Sequence, residues 1–266
     1  MRVPVTSVTM PARNAAGTIR EALESALSQT VADIEVIVVD DGSTDGTADV
    51  VESIGDDRVR LLRHERNLGV SPARNAALAA ARAPLISVLD ADDMWDPDYL
   101  ETVLPALEDP GVALVYANCR FHRNPDQPDY LPHISDVDLG VMEPWLHPID
   151  RFPELCDSCP VPALTTTMRT AAVRGVGGYA TWLRCGADWQ LYVKLVKAGW
   201  RFAYVDRVVA TYRWPEPGRG LSFDLNRREL NDLKLWSRFA LRYPLTPGVW
   251  PHANLALAFR AGELDF

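Results

Sequence analysis

The sequence predicts an α/β fold with a mostly parallel central sheet flanked by helices, and three observations carry that expectation. Strand and helix signals alternate through the first half of the chain, as they do in parallel α/β folds. Two strands, IEVIVV at 34–39 and LISVL at 85–89, are near-continuous apolar runs, the pattern of strands buried on both faces. Both run straight into acidic clusters, and the ligand crevice of an open α/β sheet lies beyond the carboxyl ends of its strands.

The elements follow in order. Residues 5–9 are a short β-branched run, closed by Pro11, Asn14 and Gly17. Thr18 and Glu21 form a T-x-x-E capping box ahead of an apolar stripe of Ile19, Leu23, Ala26 and Leu27. The strand at 34–39 leads into Asp40-Asp41-Gly42-Ser43-Thr44-Asp45-Gly46, a turn; a helix starts at about Thr47 and a strand lies near 59–62. Ser71 and Pro72 read as N-cap and first helical residue of ARNAALAAARA. After the strand at 85–89 and Asp90-Ala91-Asp92-Asp93, Asp96-Pro97 starts a helix and 112–116 is the next strand. Residues 122–162 hold eight prolines and no sustained periodicity, which reads as a lid or binding loop, or a partly disordered one. Beyond it, 187–198 is helical with Gly199 as its stop. Segments 202–205 and 208–212 are strands, and Leu230, Leu233, Trp236 and Ala240 mark an amphipathic tail helix.

With 266 residues, 47% hydrophobic, the chain can build one sizeable core or a main domain with a small annex. The net charge of −9 argues against nucleic acid or an anionic membrane as the main partner. Residues 201–243 reverse the balance locally, with nine Lys/Arg against five Asp/Glu. MRVPVTSVTM lacks the apolar core of a signal peptide and no run of about 18 apolar residues occurs, so a cytoplasmic location with no transmembrane segment is expected. The four cysteines are then reduced thiols. Cys156-Asp157-Ser158-Cys159 has no second pair at zinc spacing, and no histidine spacing suits a metal.

The strand-end acids are the candidate chemistry. Asp90, Asp92 and Asp93 crowd three carboxylates into four positions, and a divalent cation held through oxygen is an economical counter-charge. Helix capping and solvated loop acids are the bland alternative. Neither G-x-G-x-x-G after the first strand nor G-x-x-x-x-G-K-[ST] occurs, so dinucleotide and P-loop phosphate cradles are excluded. A metal on carboxylates could hold a diphosphate instead. Asp188, flanked by Ala187 and Trp189 at a helix start, is either a general base with a raised pKa or a helix-capping acid.

SVTMPARN, ALESALSQT, IEVIVVDDGSTDGT, RNLGVSPARNAAL, ISVLDADDMWDPDYL, VGGY and GADWQLYVKLVKAGW occur in that order over roughly residues 5–212. This ordered set resembles the inverting glycosyltransferases of family 2. The resemblance implies the GT-A fold, a Rossmann-like sheet with a variable acceptor region and a C-terminal helical tail. It divides the chain into a nucleotide-sugar-binding half (1–118), an acceptor and catalytic-base half (119–220) and a helical extension (221–266). It also implies a nucleotide-sugar donor, commonly a UDP-sugar, and a Mg²⁺ or Mn²⁺ ion. By the same resemblance Pro11, Ala12, Arg13 and Asn14 line the nucleotide, Asp41 reads the base edge and Arg74 lies near the nucleotide. Asp90-Ala91-Asp92 is the D-x-D element, with Asp92 on the metal and Asp90 nearer the ribose, and Asp188 is the catalytic base. Two positions depart from the family: Ala187 stands where Glu is frequent, and Trp214 follows Tyr212-Arg213 where His is frequent. Trp145, Trp182 and Trp189 flank the implied acceptor cleft and are candidates for stacking on a sugar. The acceptor is a small molecule, a glycan or a lipid-linked sugar met at the membrane surface, and a homodimer is left open. The competing readings are a nucleotidyltransferase-like enzyme and a non-catalytic nucleotide-sugar-binding module of the same fold.

Overall fold

A computed structural model of the chain describes residues 3–122, 161–183 and 186–213. Eight strands form one sheet: β1 (Thr6–Ala12), β2 (Ile34–Asp41), β3 (Val59–His64), β4 (Leu85–Val88), β5 (Met94–Trp95), β6 (Val112–His122), β7 (Thr167–Arg169) and β8 (Arg201–Arg213). Their spatial order is β3-β2-β1-β4-β7-β6-β8-β5. The first four are parallel, β7 is antiparallel to both β4 and β6, β8 runs parallel to β6, and β5 closes the edge antiparallel to β8. Residue 118, the expected division between halves, lies inside β6, and the one sheet continues on both sides of it.

Alternation along β2 serves both faces. Val36 and Val38 pack under helices α1 (Ile19–Leu27), α2 (Thr47–Glu52) and α4 (Tyr99–Val103), through Leu23, Val51 and Leu100 among others. Ile37 and Val39 belong to the opposite core with α3 (Val70–Ala80), α5 (Thr170–Gly175) and α6 (Ala187–Lys197), represented by Ala77, Val173 and Leu195. This two-sided burial is why the β2 sequence is apolar without alternation.

Several boundaries differ from the sequence expectation. β1 and β2 extend into the segments expected to turn, because Pro11 pairs with Val39 and Ala12 with Asp40. The capping box does not form. Thr18 turns its hydroxyl back to the Ala15 carbonyl (3.4 Å), and Glu21 is taken by Arg213. α3 starts earlier, capped by Gly69 at φ 99°, so Ser71 lies buried within the first turn instead of capping it. Asp96-Pro97 follows β5, and α4 begins only at Tyr99. The two expected C-terminal strands are one, β8, whose pairing with β6 skips Asp206 and Arg207 between Val205 and Val208. β7 and α5 were not foreseen; three and six residues long, they are too short to show a period. α6 matches, and Gly199 at φ 87° ends it. The expected tail helix and all but the ends of the proline-rich segment lie outside the described residues.

Candidate active site

The carboxyl ends of β1 and β2 are laced together. Pro11 and Ala12 finish β1, and Arg13 and Asn14 follow it exposed. Asn14 adopts the left-handed region (φ 49°), donates its N–H to Ser43 Oγ (2.9 Å) and accepts the Thr44 N–H on Oδ1 (2.9 Å). Asparagine tolerates that conformation because its short amide bonds locally. The Ala15 N–H adds a bond to Thr47 Oγ1 (2.8 Å). Beneath this loop Asp41, 4% exposed, accepts from His64 Nδ1 (2.7 Å) and the Leu68 N–H (2.9 Å) on Oδ1, and from the Gly69 N–H (2.8 Å) on Oδ2. Gly42, at φ 67°, lets the next stretch pass against it: a Cβ there would lie 2.5 Å from the Arg66 carbonyl carbon.

A second group gathers around Arg74, which is 6% exposed. Its Nη2 donates to both oxygens of Asp90 (2.9 and 3.1 Å), its guanidinium stands 5.6 Å from the Tyr179 ring centroid, and Nε has no partner among the described residues. Burial works against the charge, but Asp90, Tyr179 and Asp188 outweigh it and raise the pKa. Burial also pushes the Tyr179 phenol up to about 12. Asn75 holds Tyr179 in place by accepting its N–H (2.9 Å) and donating to its carbonyl (2.8 Å). Gly178, at φ 65°, must lack a side chain there, since a Cβ would meet Asn75 Oδ1 at 2.6 Å. Asp188 is half-buried in the first turn of α6, and its Oδ1 accepts the adjacent Trp189 N–H (2.8 Å).

The remaining acids lie past β4. Asp92 reaches the surface, yet loss of water around it and the charge of Asp90 push its carboxyl up to about 6, against the pull of Arg213 and Arg74. Asp93 is 1% exposed; burial, then Asp92 and Asp90, raise it well above the usual range, although it accepts the Arg213 N–H (2.8 Å). Among the described residues no three His, Cys, Asp or Glu side chains form a ready-made cation site.

Arg74 is thus ion-paired with Asp90 and lies within electrostatic reach of Asp188, more than a hundred positions away in the chain, while Asp92 feels the charge of Asp90. Pro11, Ala12, Arg13, Asn14 and Asp41 stand at the adjacent carboxyl ends of β1 and β2, which the bonds of Asn14 to Ser43 and Thr44 tie together. Ala91 is buried between the acids. Trp189 is 6% exposed within the core, and Trp182 packs half-buried against the same core. Trp145, Cys156, Cys159 and Trp214 lie outside the described residues. Sequence reasoning missed His64, Tyr179 and Arg213. The first was discoverable: it ends β3 in direct register with Asp41.

The family model "Glycosyl transferase family 2" matches residues 7–171. The chain is 43% identical over 117 residues to the succinoglycan biosynthesis protein ExoO of Rhizobium meliloti, across 44% of this chain and 34% of that protein. It is 38% identical over 112 residues to the Escherichia coli UDP-Glc:alpha-D-GlcNAc-diphosphoundecaprenol beta-1,3-glucosyltransferase WfaP, across 42% of this chain and 45% of that one. These matches thus span less than half the length of either relative. Among solved structures, Staphylococcus aureus TarS 1–349 in complex with UDP-GlcNAc superposes with a TM-score of 0.68 at 20% identity, covering 96% of this chain and 70% of that one. The mannosyltransferase PcManGT of Pyrobaculum calidifontis, solved with GDP-Man and Mn²⁺, gives 0.64 at 22% identity, covering all of this chain and 77% of that one. Among the described residues no helix is long and apolar enough to cross a membrane. With the family model running from the first strand through β7 and the sheet matching these structures, the chain has the GT-A fold and belongs to glycosyl transferase family 2.

Proposed function

We propose that this chain catalyses an inverting, metal-dependent transfer of a sugar from a UDP-sugar to an acceptor hydroxyl, with Asp188 as general base. The observation that carries this reading is Arg74. One buried cation interacts with the strand-end acid Asp90 and with the helix-start acid Asp188, so a donor held at β4 lies beside a carboxylate able to take a proton.

The roles are those the family likeness implies, and the geometry supports them. Pro11, Ala12, Arg13, Asn14 and Asp41 line the base, Asp41 accepting from its edge. Arg74 and Asp90, with Ala91 between the acids, hold the ribose and diphosphate side. Asp92 fits a Mg²⁺ or Mn²⁺ ion: it is the acid that reaches the surface, and it sits among carboxylates short of counter-charge. Such ions take one or two protein carboxylates and complete their shell with phosphate oxygens and water, in keeping with the lack of a three-ligand cluster. Bound there, the cation would supply Lewis-acid stabilisation of the diphosphate.

Asp188 accepts the acceptor's hydroxyl proton as that oxygen bonds the anomeric carbon. The bond from that carbon to the diphosphate oxygen breaks on the opposite face, its electron pair leaving with the nucleoside diphosphate, so the configuration inverts. Arg74, charged throughout, stabilises the negative charge that develops. Trp189 lies too deep to offer a face, and its packing keeps apolar material beneath Asp188; of the two described candidates, Trp182, half-buried, is the one that keeps exposed surface for a sugar. The acceptor is a hydroxyl-bearing glycan or lipid-linked sugar, and the cytoplasm is the compartment this donor chemistry carries.

Asp188→Asn tests the assignment. It keeps the shape and the oxygen that accepts the Trp189 N–H, so the fold and UDP affinity measured by calorimetry should hold. Turnover should fall about 10²- to 10⁴-fold, the contribution of a positioned general base. A parallel loss of UDP affinity would place Asp188 in the nucleotide site, and undiminished turnover would remove it as the base.

A further inference from the structure

We propose that His64 sets the nucleobase selectivity of this site, by filling Asp41 Oδ1 so that one acceptor position, on Oδ2, is left for the base. The inference rests on the reading that Asp41 faces the base edge. A carboxylate offers about four acceptor positions. His64 Nδ1 (2.7 Å) and the Leu68 N–H (2.9 Å) take two on Oδ1, and the Gly69 N–H (2.8 Å) takes one on Oδ2. Because a carboxylate only accepts, the bonded His64 nitrogen carries the proton.

The imidazole is held there by the backbone. His64 is the last residue of β3 and pairs in parallel register with Asp41, the last of β2. The side chains are 17% and 5% exposed, so neither is free to turn into solvent. Directly after Asp41, Gly42 lets Arg66 and Asn67 come within a Cβ's distance, which brings the Leu68 and Gly69 amides onto the carboxylate. The same loop leaves Leu68 48% exposed, one of two exposed large hydrophobic residues among the described residues. A flat base laid along the loop would cover it.

A single remaining acceptor discriminates by donor pattern. Uracil offers one ring N–H between two carbonyls and needs one acceptor. Guanine offers a ring N–H and an exocyclic amine side by side, which a carboxylate grips with both oxygens; with Oδ1 full, that two-point grip is blocked. Cytosine and adenine set a ring acceptor beside their amine, which faces carboxylate lone pairs unfavourably. Removing the His64 donor reopens Oδ1 and admits guanine.

The experiment titrates the full chain with UDP and with GDP, Mn²⁺ present, by calorimetry. The wild-type protein should prefer UDP by about tenfold or more, the discrimination a bidentate contact to a base carries. His64→Phe keeps a flat ring without the donor and should bring the ratio close to one, chiefly through tighter GDP binding. His64→Asn can donate from near the Nδ1 position and should restore the preference. Equal affinities in the wild-type protein, or an unchanged ratio in a folded His64→Phe, would overturn the proposal. Asp41→Asn separates the two layers: if neither nucleotide responds to it, Asp41 does not face the base and the parent reading fails. If it weakens UDP while His64→Phe leaves the ratio alone, only the role of His64 fails.

Discussion

At the end of β2, Asp41 accepts from His64 and from the amides of Leu68 and Gly69, and Asp40 accepts the Ser43 N–H at 3.0 Å. Past the end of β4, Arg74 is paired with Asp90, while Asp92 has its carboxyl raised by loss of surrounding water and by Asp90, and buried Asp93 by desolvation, Asp92 and Asp90. Both clusters follow an apolar strand, and in the sequence they look alike. They differ in what surrounds them: the loops after β2 and β3 carry glycines that let backbone N–H groups close on a carboxylate, whereas the chain after Asp93 goes straight into β5. The first cluster is completed by protein donors. The second is left short of positive charge, which fits a site finished by a ligand's cation.

If the β2 end owes its order to close backbone approach, Gly42→Ala should cost about 3 kcal/mol of stability, combining left-handed strain with a clash that backbone must relieve. The new Cβ would sit 2.5 and 2.6 Å from the Arg66 carbonyl carbon and the Asn67 nitrogen. Urea unfolding without ligand measures this, and an unchanged midpoint would show that the loop yields freely and does not hold Asp41.

Paired substitutions sharpen the contrast. Asp92→Asn should leave ligand-free stability unchanged or slightly raised, because it removes like-charge repulsion, and should weaken Mn²⁺-dependent UDP binding about 10- to 100-fold. Asp41→Asn should do the reverse to stability, losing about 1–2 kcal/mol as its amide nitrogen confronts one of three donors. Thermal unfolding and calorimetry on both variants decide it. If the two behave alike, the clusters are not different in kind.

The parallel half was legible because its strands are long, apolar and doubly buried, and because its acids stand at strand ends where α/β chemistry gathers. The boundaries failed where tertiary contacts overrode local signals. Thr18 and Glu21 match a capping box, but Arg213, almost two hundred positions away, takes Glu21. Ser71 precedes a proline as an N-cap would, but Gly69 already starts the helix. β7 is three residues paired between β4 and β6, so its existence depends on neighbours no local window contains. Asp188 is legible as the acid of GADWQ at a helix start, yet what relates it to the donor side, Arg74 beside the Tyr179 ring, is a contact between segments about a hundred positions apart.

The smallest effect expected is a pH dependence confined to the β4 end. Asp92 has its carboxyl moved from 3.8 up to about 6. Between those values the folded chain therefore binds more protons than the unfolded one, and this group's stabilisation is full at low pH and lost as pH rises through about 6. Asp93, also raised, acts in the same direction. A cation needs the ionised form, so its affinity should run the other way: level above about pH 6 and falling by about tenfold per unit below it, as one proton must leave Asp92. Mn²⁺-dependent UDP binding followed by calorimetry from pH 5 to 7 reads the slope. The phosphates of UDP titrate in the same region, so the diagnostic quantity is the difference between the wild-type protein and Asp92→Asn. Parallel profiles for the two proteins would mean that Asp92 is not the group the cation displaces a proton from, and the contrast between the two acidic strand ends would lose its ligand-binding half.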